Sequence, residues 1–364
     1  MKTIGGPSLV GNLRQKDGDD PVRRRELLAG TAGLAGAAVL ASSASRANPV
    51  GNTSPGSEEL LYGRPGDPVP VDALRGDIAA KRKEFQTARY DQLSAGLPGL
   101  IGSAVATCQS ASRMDGCTAS ALLADAYIVA ANFMVKLNDD PLALALADRA
   151  LQSARAGDDP LTIADAQRAV ATVLRRTGRR AKAHDLLLSA AASIEPGRQT
   201  TPDQLSVFGT LLQVAAYTAA VDGNRSAARD LIREAREAAR RLGTDANHRY
   251  TAFGPANVTL YQVSIAQVLG DNGAAIECAK TLNPAVIPTA ERRGRYWIDL
   301  ARAFSQWNKP EQCYRALLCA ERAAPAEVRY RPPVHRMTED LLRTSRRRLP
   351  GLNTFARRIG MPAT

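Results

Sequence analysis

A short polar turn recurs five times along this chain, and its recurrence restricts the fold more than any other feature of the sequence. The turns are "KLNDDP", "RTGRRA", "AVDGNR", "VLGDNG" and "QWNKPE", each closing a stretch of helical apolar period. Aligned, they put Asn138, Gly178, Gly223, Gly270 and Asn308 at one equivalent position, suited to a left-handed helix cap or a tight turn. Five residues later stand Ala143, Ala183, Ala228, Ala275 and Cys313, all small. Seven further on stand Ala150, Ala190, Ala235, Leu282 and Ala320, all apolar. Small side chains at fixed places let two antiparallel helices approach closely. Successive turn positions are 40, 45, 47 and 38 residues apart, longer and less regular than the about 34 residues of a strict tetratricopeptide repeat. The pattern predicts an all-α, degenerate tetratricopeptide-like helical-repeat solenoid of about five helix pairs, each burying a face that its neighbour would otherwise leave wet. An irregular bundle with coincident glycine turns would have no reason to share the two further offsets.

Composition agrees. Apolar residues make up 45% of the chain and aromatics 5%, with Ala and Leu abundant, which favours close helix packing over a sheet sandwich. A net charge of +12 fits a solvated basic surface or an acidic partner. Cys108, Cys117, Cys278, Cys313 and Cys319 make an odd set without Cys-x-x-Cys or Cys/His ligand spacing, so no metal site is expected. Unpaired cysteines in apolar helices lean toward a reducing, cytoplasmic compartment.

Residues 1–20 lack apolar periodicity and are expected to be disordered. Residues 21–47, "PVRRRELLAGTAGLAGAAVLASSASRA", admit two readings. Arg24-Arg25-Glu26-Leu27-Leu28, the apolar run after it and Ala44-Ser45-Arg46-Ala47 match a twin-arginine export signal with a cleavage site. The same segment also fits a small apolar helix joining two parts of a cytoplasmic protein. Residues 48–70, dense in Pro, Gly and Ser, are expected to form a linker, 71–349 the helical-repeat domain and 350–364 a basic tail.

Motifs for chemistry are missing. There is no strand–Gly-rich-loop–helix unit, no Gly-x-Ser-x-Gly elbow and no His-Glu-x-x-His, so neither catalysis nor a cofactor is expected. Asp139/Asp140 and Asp158/Asp159 precede prolines at helix starts, where carboxylates cap free N–H groups. One stretch is unusual: "RRLGTDANHRYTAFGPANVTLYQVSIAQ", Arg240 to Gln267, the longest connection between repeats. It gathers Asn247, His248, Arg249, Tyr250, Phe253 and Asn257, amide, aromatic and cationic groups that could form a ligand or peptide pocket on a rigid scaffold. Alternatively, its aromatics plug the solenoid and its polar groups cap two helices.

From about Tyr90 to Leu349 the chain resembles the C-terminal region of actinobacterial Xre/Cro-type helix-turn-helix transcriptional regulators. The stretches that carry the resemblance are "ARYDQLSAGLPGLI", "LADAYIVAANFMVKLNDDPLALALADRAL", "GTDANHRYTAFGPANVTLYQVSIAQVLGD" and "PAEVRYRPPVHRMTEDLL". The string from Asn247 to Asn257 is the most specific part. The resemblance implies a cytoplasmic regulatory module that senses a peptide, small ligand or partner protein on its concave face. Met1 to Asp20 is too short for a helix-turn-helix, which needs roughly 60 residues. DNA contact is therefore expected only indirectly, or through an N-terminal domain missing from this chain. Tetratricopeptide-like regulators commonly dimerise, so a second copy is among the expected partners.

Overall fold

The computed structural model describes residues 58–112, 115–345 and 349–362, and every regular element among them is helical. Residues 1–20, the Arg-led segment 21–47 and residues 48–57 of the expected linker lie outside the described residues. The described residues open with α1 (Glu59–Tyr62), α2 (Val71–Gln86) and α3 (Tyr90–Ser110). Five pairs follow: α4 (Gly116–Leu137) with α5 (Asp140–Gly157), α6 (Pro160–Arg176) with α7 (Arg180–Ser193), and α8 (Pro202–Val221) with α9 (Arg225–Leu242). Then come α10 (Pro255–Val268) with α11 (Asn272–Lys280), and α12 (Ala290–Gln306) with α13 (Pro310–Ala323). The described residues close with α14 (Pro325–Arg329), α15 (Pro332–Ser345) and α16 (Leu352–Arg358).

The pairs form where the repeated turns place them. Asn138, Gly178, Gly223, Gly270 and Asn308 have φ of 62°, 86°, 79°, 82° and 53°, the left-handed region that reverses a helix in one or two residues. The small residue five positions on is fully buried in every pair: Ala143, Ala183, Ala228, Ala275 and Cys313 are each 0% exposed. A methyl or thiol there leaves room for the facing backbone, and a larger side chain would overpack the seam by roughly 1–3 kcal/mol. Caps finish the starts. Asp139 accepts from the Leu142 N–H at 3.0 Å, and Asp159, Thr201, Asn224 and Thr289 do the same for their helices, each worth about 1 kcal/mol.

First and second helices differ because their surroundings differ. In α8, 15 of 20 residues are buried, since α9 covers one side and the first helices α6 and α10 pack on the others. In α9 a single stripe is buried, Ala228, Leu231, Ile232, Ala235, Ala238 and Ala239, and the rest is charged apart from Ser226, Ala227 and Leu242.

Two segments differ from the sequence expectation. Within 48–70, α1 buries Leu60, and the Val69 N–H donates to the Thr107 hydroxyl at 2.9 Å. Within 350–364, Leu352, Phe355 and Ile359 bury one face against Tyr314 and its neighbours. Their three- and four-residue spacing is an apolar stripe that the surrounding arginines obscured.

The two ends of the array meet. Tyr90 and Phe133 pack with Ala324 and Tyr330, with ring centroids 5.5 Å (Tyr90–Phe133) and 6.2 Å (Tyr90–Tyr330) apart. Within this seam Lys136 of α4 pairs with Glu291 of α12 and, at 2.8 Å, with Glu327 of α14. Arg331 pairs with Glu327 at 2.5 Å, and the Tyr90 hydroxyl donates to the same carboxylate. Burial raises both carboxylic acids toward neutrality. Lys136, Arg292 and Arg331 outweigh it at Glu291, and Arg331 and Lys136 at Glu327, so both stay below the usual glutamate value of 4.5.

A carboxylate held lower in the fold contributes stability that is present above 4.5 and is lost as pH falls below it. Urea unfolding midpoints are therefore expected to fall between about pH 6 and pH 3. Lys136→Met leaves two buried carboxylates with fewer cations and is expected to cost roughly 3–5 kcal/mol at neutral pH. An unchanged midpoint in that variant would contradict this account of the seam.

Candidate functional site

The first helices of the pairs line a cavity of about 480 Å³, with α2, the 249–251 segment and residues 331–336 completing its wall. Its contributions come at helical intervals: Arg168, Thr172 and Arg175 on α6, Thr210, Val214 and Tyr217 on α8, and Arg292, Arg295, Asp299 and Arg302 on α12. Residues three, four and seven apart share one face of a helix, so each helix presents one stripe to the interior. Eleven Arg and Lys side chains line the cavity, against three carboxylates, Asp165, Glu291 and Asp299.

A cluster of guanidinium groups and phenol rings forms one wall. Tyr217 and Tyr261 meet edge to face with centroids 6.4 Å apart. Arg295 lies over Tyr261 at 4.4 Å and Tyr217 at 5.6 Å, and Arg175 lies over Tyr217 at 4.8 Å. Such stacking attracts a cation to the ring face and orients it. Arg168 pairs with Asp165 at 2.7 Å, while Arg295 and Arg302 share Asp299 at 3.5 and 3.8 Å. The buried Arg175 Nε has no hydrogen-bond partner. Burial pulls the Arg175 guanidinium down, and the nearby cations Arg295 and Arg176 add to that, against Tyr217 and Tyr261. Burial should raise the Tyr261 phenol, yet Arg295, Arg292 and Arg168 outweigh it and bring it down to about 8. A hydrogen bond from Arg295 lowers the phenol further, so the cations and this bond together outweigh burial.

The residues singled out from the Arg240–Gln267 stretch separate into three groups. Arg249 and Tyr250 reach the cavity wall; the Arg249 guanidinium donates to Asp159 at 2.8 Å and Thr162 at 2.7 Å, and Arg82 lies 5.0 Å over the Tyr250 ring. Asn247 exchanges hydrogen bonds with the Gln86 amide at 2.8 and 3.1 Å, and His248 lies 3.2 Å from Asp203, outside the cavity lining. Phe253 and Asn257 go into the core. Phe253 is 0% exposed and sits against Gly209, where a Cβ would lie 2.0 Å from its ring. Asn257, 1% exposed, donates from Nδ2 to Gln213 at 3.1 Å.

Most of the cavity lining escaped the sequence reading, although a signal was present. Counting six residues back from each turn position gives Asn132, Thr172, Tyr217, Ser264 and Arg302, all polar. Counting thirteen back gives Asp125, Asp165, Thr210, Asn257 and Arg295, again all polar. Polar residues at fixed offsets in helices otherwise buried on every side mark a shared inner surface. Seven of those ten line the cavity.

No protein-family model and no curated protein matches the chain. Among solved structures it is similar to BtubC (BKLC) from P. vanneervenii, with 20% identity and a TM-score of 0.40 over 65% of this chain and 94% of that one. A likeness of this size carries no functional inference.

Phe253→Ala is expected to cost roughly 3–5 kcal/mol of folding stability, through the cavity it leaves. Gly209→Ala should also destabilise, by forcing a methyl into the same ring. Urea denaturation followed by circular dichroism checks both. Full stability in Phe253→Ala together with loss of ligand binding would instead make Phe253 a binding residue.

Proposed function

We propose that the chain is a regulatory sensor of the transcriptional-regulator type, capturing a negatively charged peptide, small ligand or segment of a partner protein on the inner face of its solenoid. The observation that carries this reading is the 480 Å³ cavity whose lining holds eleven cations and three carboxylates. Arg82, Arg176, Arg249 and Arg331 are paired with Asp125, Asp140, Asp159 and Glu327 behind the wall, and the remaining cations still outnumber the lining carboxylates. Ligand pockets of about 300–1,000 Å³ with a few convergent polar groups bury most of a small ligand. This one is built mainly on helices, which hold side chains more precisely than loops do. The regulatory class rests on the resemblance of residues 90–349 to the sensor region of helix-turn-helix regulators. In that class, contact with DNA is indirect or made through a further domain. The five cysteines are unpaired, which supports a reducing compartment.

Fluorescence anisotropy with a labelled Glu-rich peptide and a Lys-rich peptide of equal length tests the reading. The acidic peptide is expected to bind and the basic one not, with affinity falling as salt rises. Arg302 and Arg336 line the cavity, and Arg336 is exposed. The double variant Arg302→Glu/Arg336→Glu is expected to weaken the acidic peptide about tenfold, some 1.4 kcal/mol. Equal binding of both peptides, or an indifferent double variant, would overturn it.

A further inference from the structure

Inside the cavity the charges do not balance. Asp165 answers Arg168 at 2.7 Å, and Asp299 is divided between Arg295 and Arg302 at 3.5 and 3.8 Å. Glu291, 3.4 Å from Arg292, is shared with Lys136. Arg175 has no carboxylate partner among the described residues, and its buried Nε has no hydrogen-bond partner. Five arginines thus meet three carboxylates, a surplus of at least two positive charges. The ring faces of Tyr217 and Tyr261 keep Arg175 and Arg295 stacked and oriented.

We propose that the Arg175–Tyr217–Tyr261–Arg295 cluster is a subsite for a phosphate monoester dianion, the charged end of a small phosphorylated organic molecule or of a phosphorylated peptide side chain. The inference rests on the inner face being the binding surface, and it names the chemistry taken there. A phosphate monoester carries about −1.5 to −2 at neutral pH, which matches the surplus, whereas one carboxylate would leave a cation uncompensated. Planar guanidinium forks grip phosphate through paired N–H donors, and the Arg175 guanidinium has a buried Nε with no hydrogen-bond partner. The cavity of 480 Å³ is larger than a phosphate, and Phe85, Ile128 and Val129 supply apolar wall for an organic body. The positive field that brings the Tyr261 phenol to about 8 is the field such a dianion would neutralise.

The test compares phenyl phosphate with phenyl sulfate by calorimetry at about pH 8, where the first is a dianion and the second a monoanion of the same shape. The unsubstituted protein is expected to bind phenyl phosphate at least tenfold more tightly. Tyrosinate absorbance supplies a second readout. One phenol should ionise near 8, vanish in Tyr261→Phe, and move upward when phenyl phosphate is bound. Arg175→Gln should abolish the preference for phosphate while leaving the far-ultraviolet dichroism unchanged. A phosphotyrosyl peptide that binds more tightly than phenyl phosphate assigns the ligand to a phosphopeptide, and equal or weaker binding assigns it to a small molecule. Equal affinity for the two esters in the unsubstituted protein, or no shift of the phenol, overturns the proposal without recourse to any variant. Should the acidic peptide bind while neither ester does, the phosphate subsite fails and the sensor reading stands. Should none of them bind, both fail.

Discussion

A left-handed residue at the turn, with a small buried side chain five positions later, sets the geometry on which the rest of the structure depends. The turn fixes where each first helix ends, and the small side chain fixes how closely the second helix lies against it. With the end and the neighbour both fixed, the rotation of the first helix about its own axis is fixed too. Positions six and thirteen before the turn differ by seven residues, close to two full turns, and so point the same way. That is how residues scattered over 170 positions, from Asn132 to Arg302, reach one cavity. None of the five pairs holds enough of the lining to make a site alone.

Two groups of interior charges, which meet at Glu291, follow opposite logic. At the seam where the ends meet, Lys136 and Arg331 face Glu291 and Glu327, and the Tyr90 hydroxyl satisfies a further carboxylate lone pair. Every ion there has partners, which is the condition under which buried charge can be held at all. In the cavity the cations outnumber their partners, and the protein meets the shortfall with ring faces in place of carboxylates. Ring faces attract a cation without neutralising it. A closed balance suits a joint, and an open one leaves attraction for something outside the chain.

The helix pairs were legible in the sequence because they follow from local rules. Asn138 and Gly178 mark turns by their own backbone preference, and Ala228 marks a seam by its size, with no knowledge of distant residues needed. The seam between the ends was not legible. Lys136 and Glu327 are 191 residues apart, and neither is unusual among the charges near it. In the stretch from Asn247 to Asn257, polar and aromatic character was legible but direction was not. Phe253 and Tyr250 are both aromatic and three residues apart, yet one is fully buried and the other 41% exposed. The backbone between them makes the difference, with Arg249, Tyr250 and Ala252 all at positive φ. No residue type in that string announces such a course. The apolar stripe of Leu352, Phe355 and Ile359 was hidden for a simpler reason, since a high count of arginines says nothing about the face they leave free.

Three non-glycine residues in the left-handed region within four positions cost of order 1–3 kcal/mol each, and such strain persists only where the surroundings over-determine it. Here the determinants are specific. The Arg249 carbonyl accepts from Arg82 at 3.2 Å, the Tyr250 carbonyl accepts from Gln86 at 2.9 Å, and the Asn247 Oδ1 accepts from the Ala252 N–H at 3.1 Å. Arg82 and Gln86 belong to α2, which precedes the five pairs, while the strained segment lies between the third and the fourth. The segment therefore ties distant parts of the array across the wall of the cavity, as Lys136 does at the seam. With two ties flanking it, the inner face has little freedom to rearrange, and its cations are held in place before any ligand arrives. A preorganised face of this kind loses less entropy on binding, which makes the unusual backbone at Arg249 and Tyr250 part of how the cavity is built.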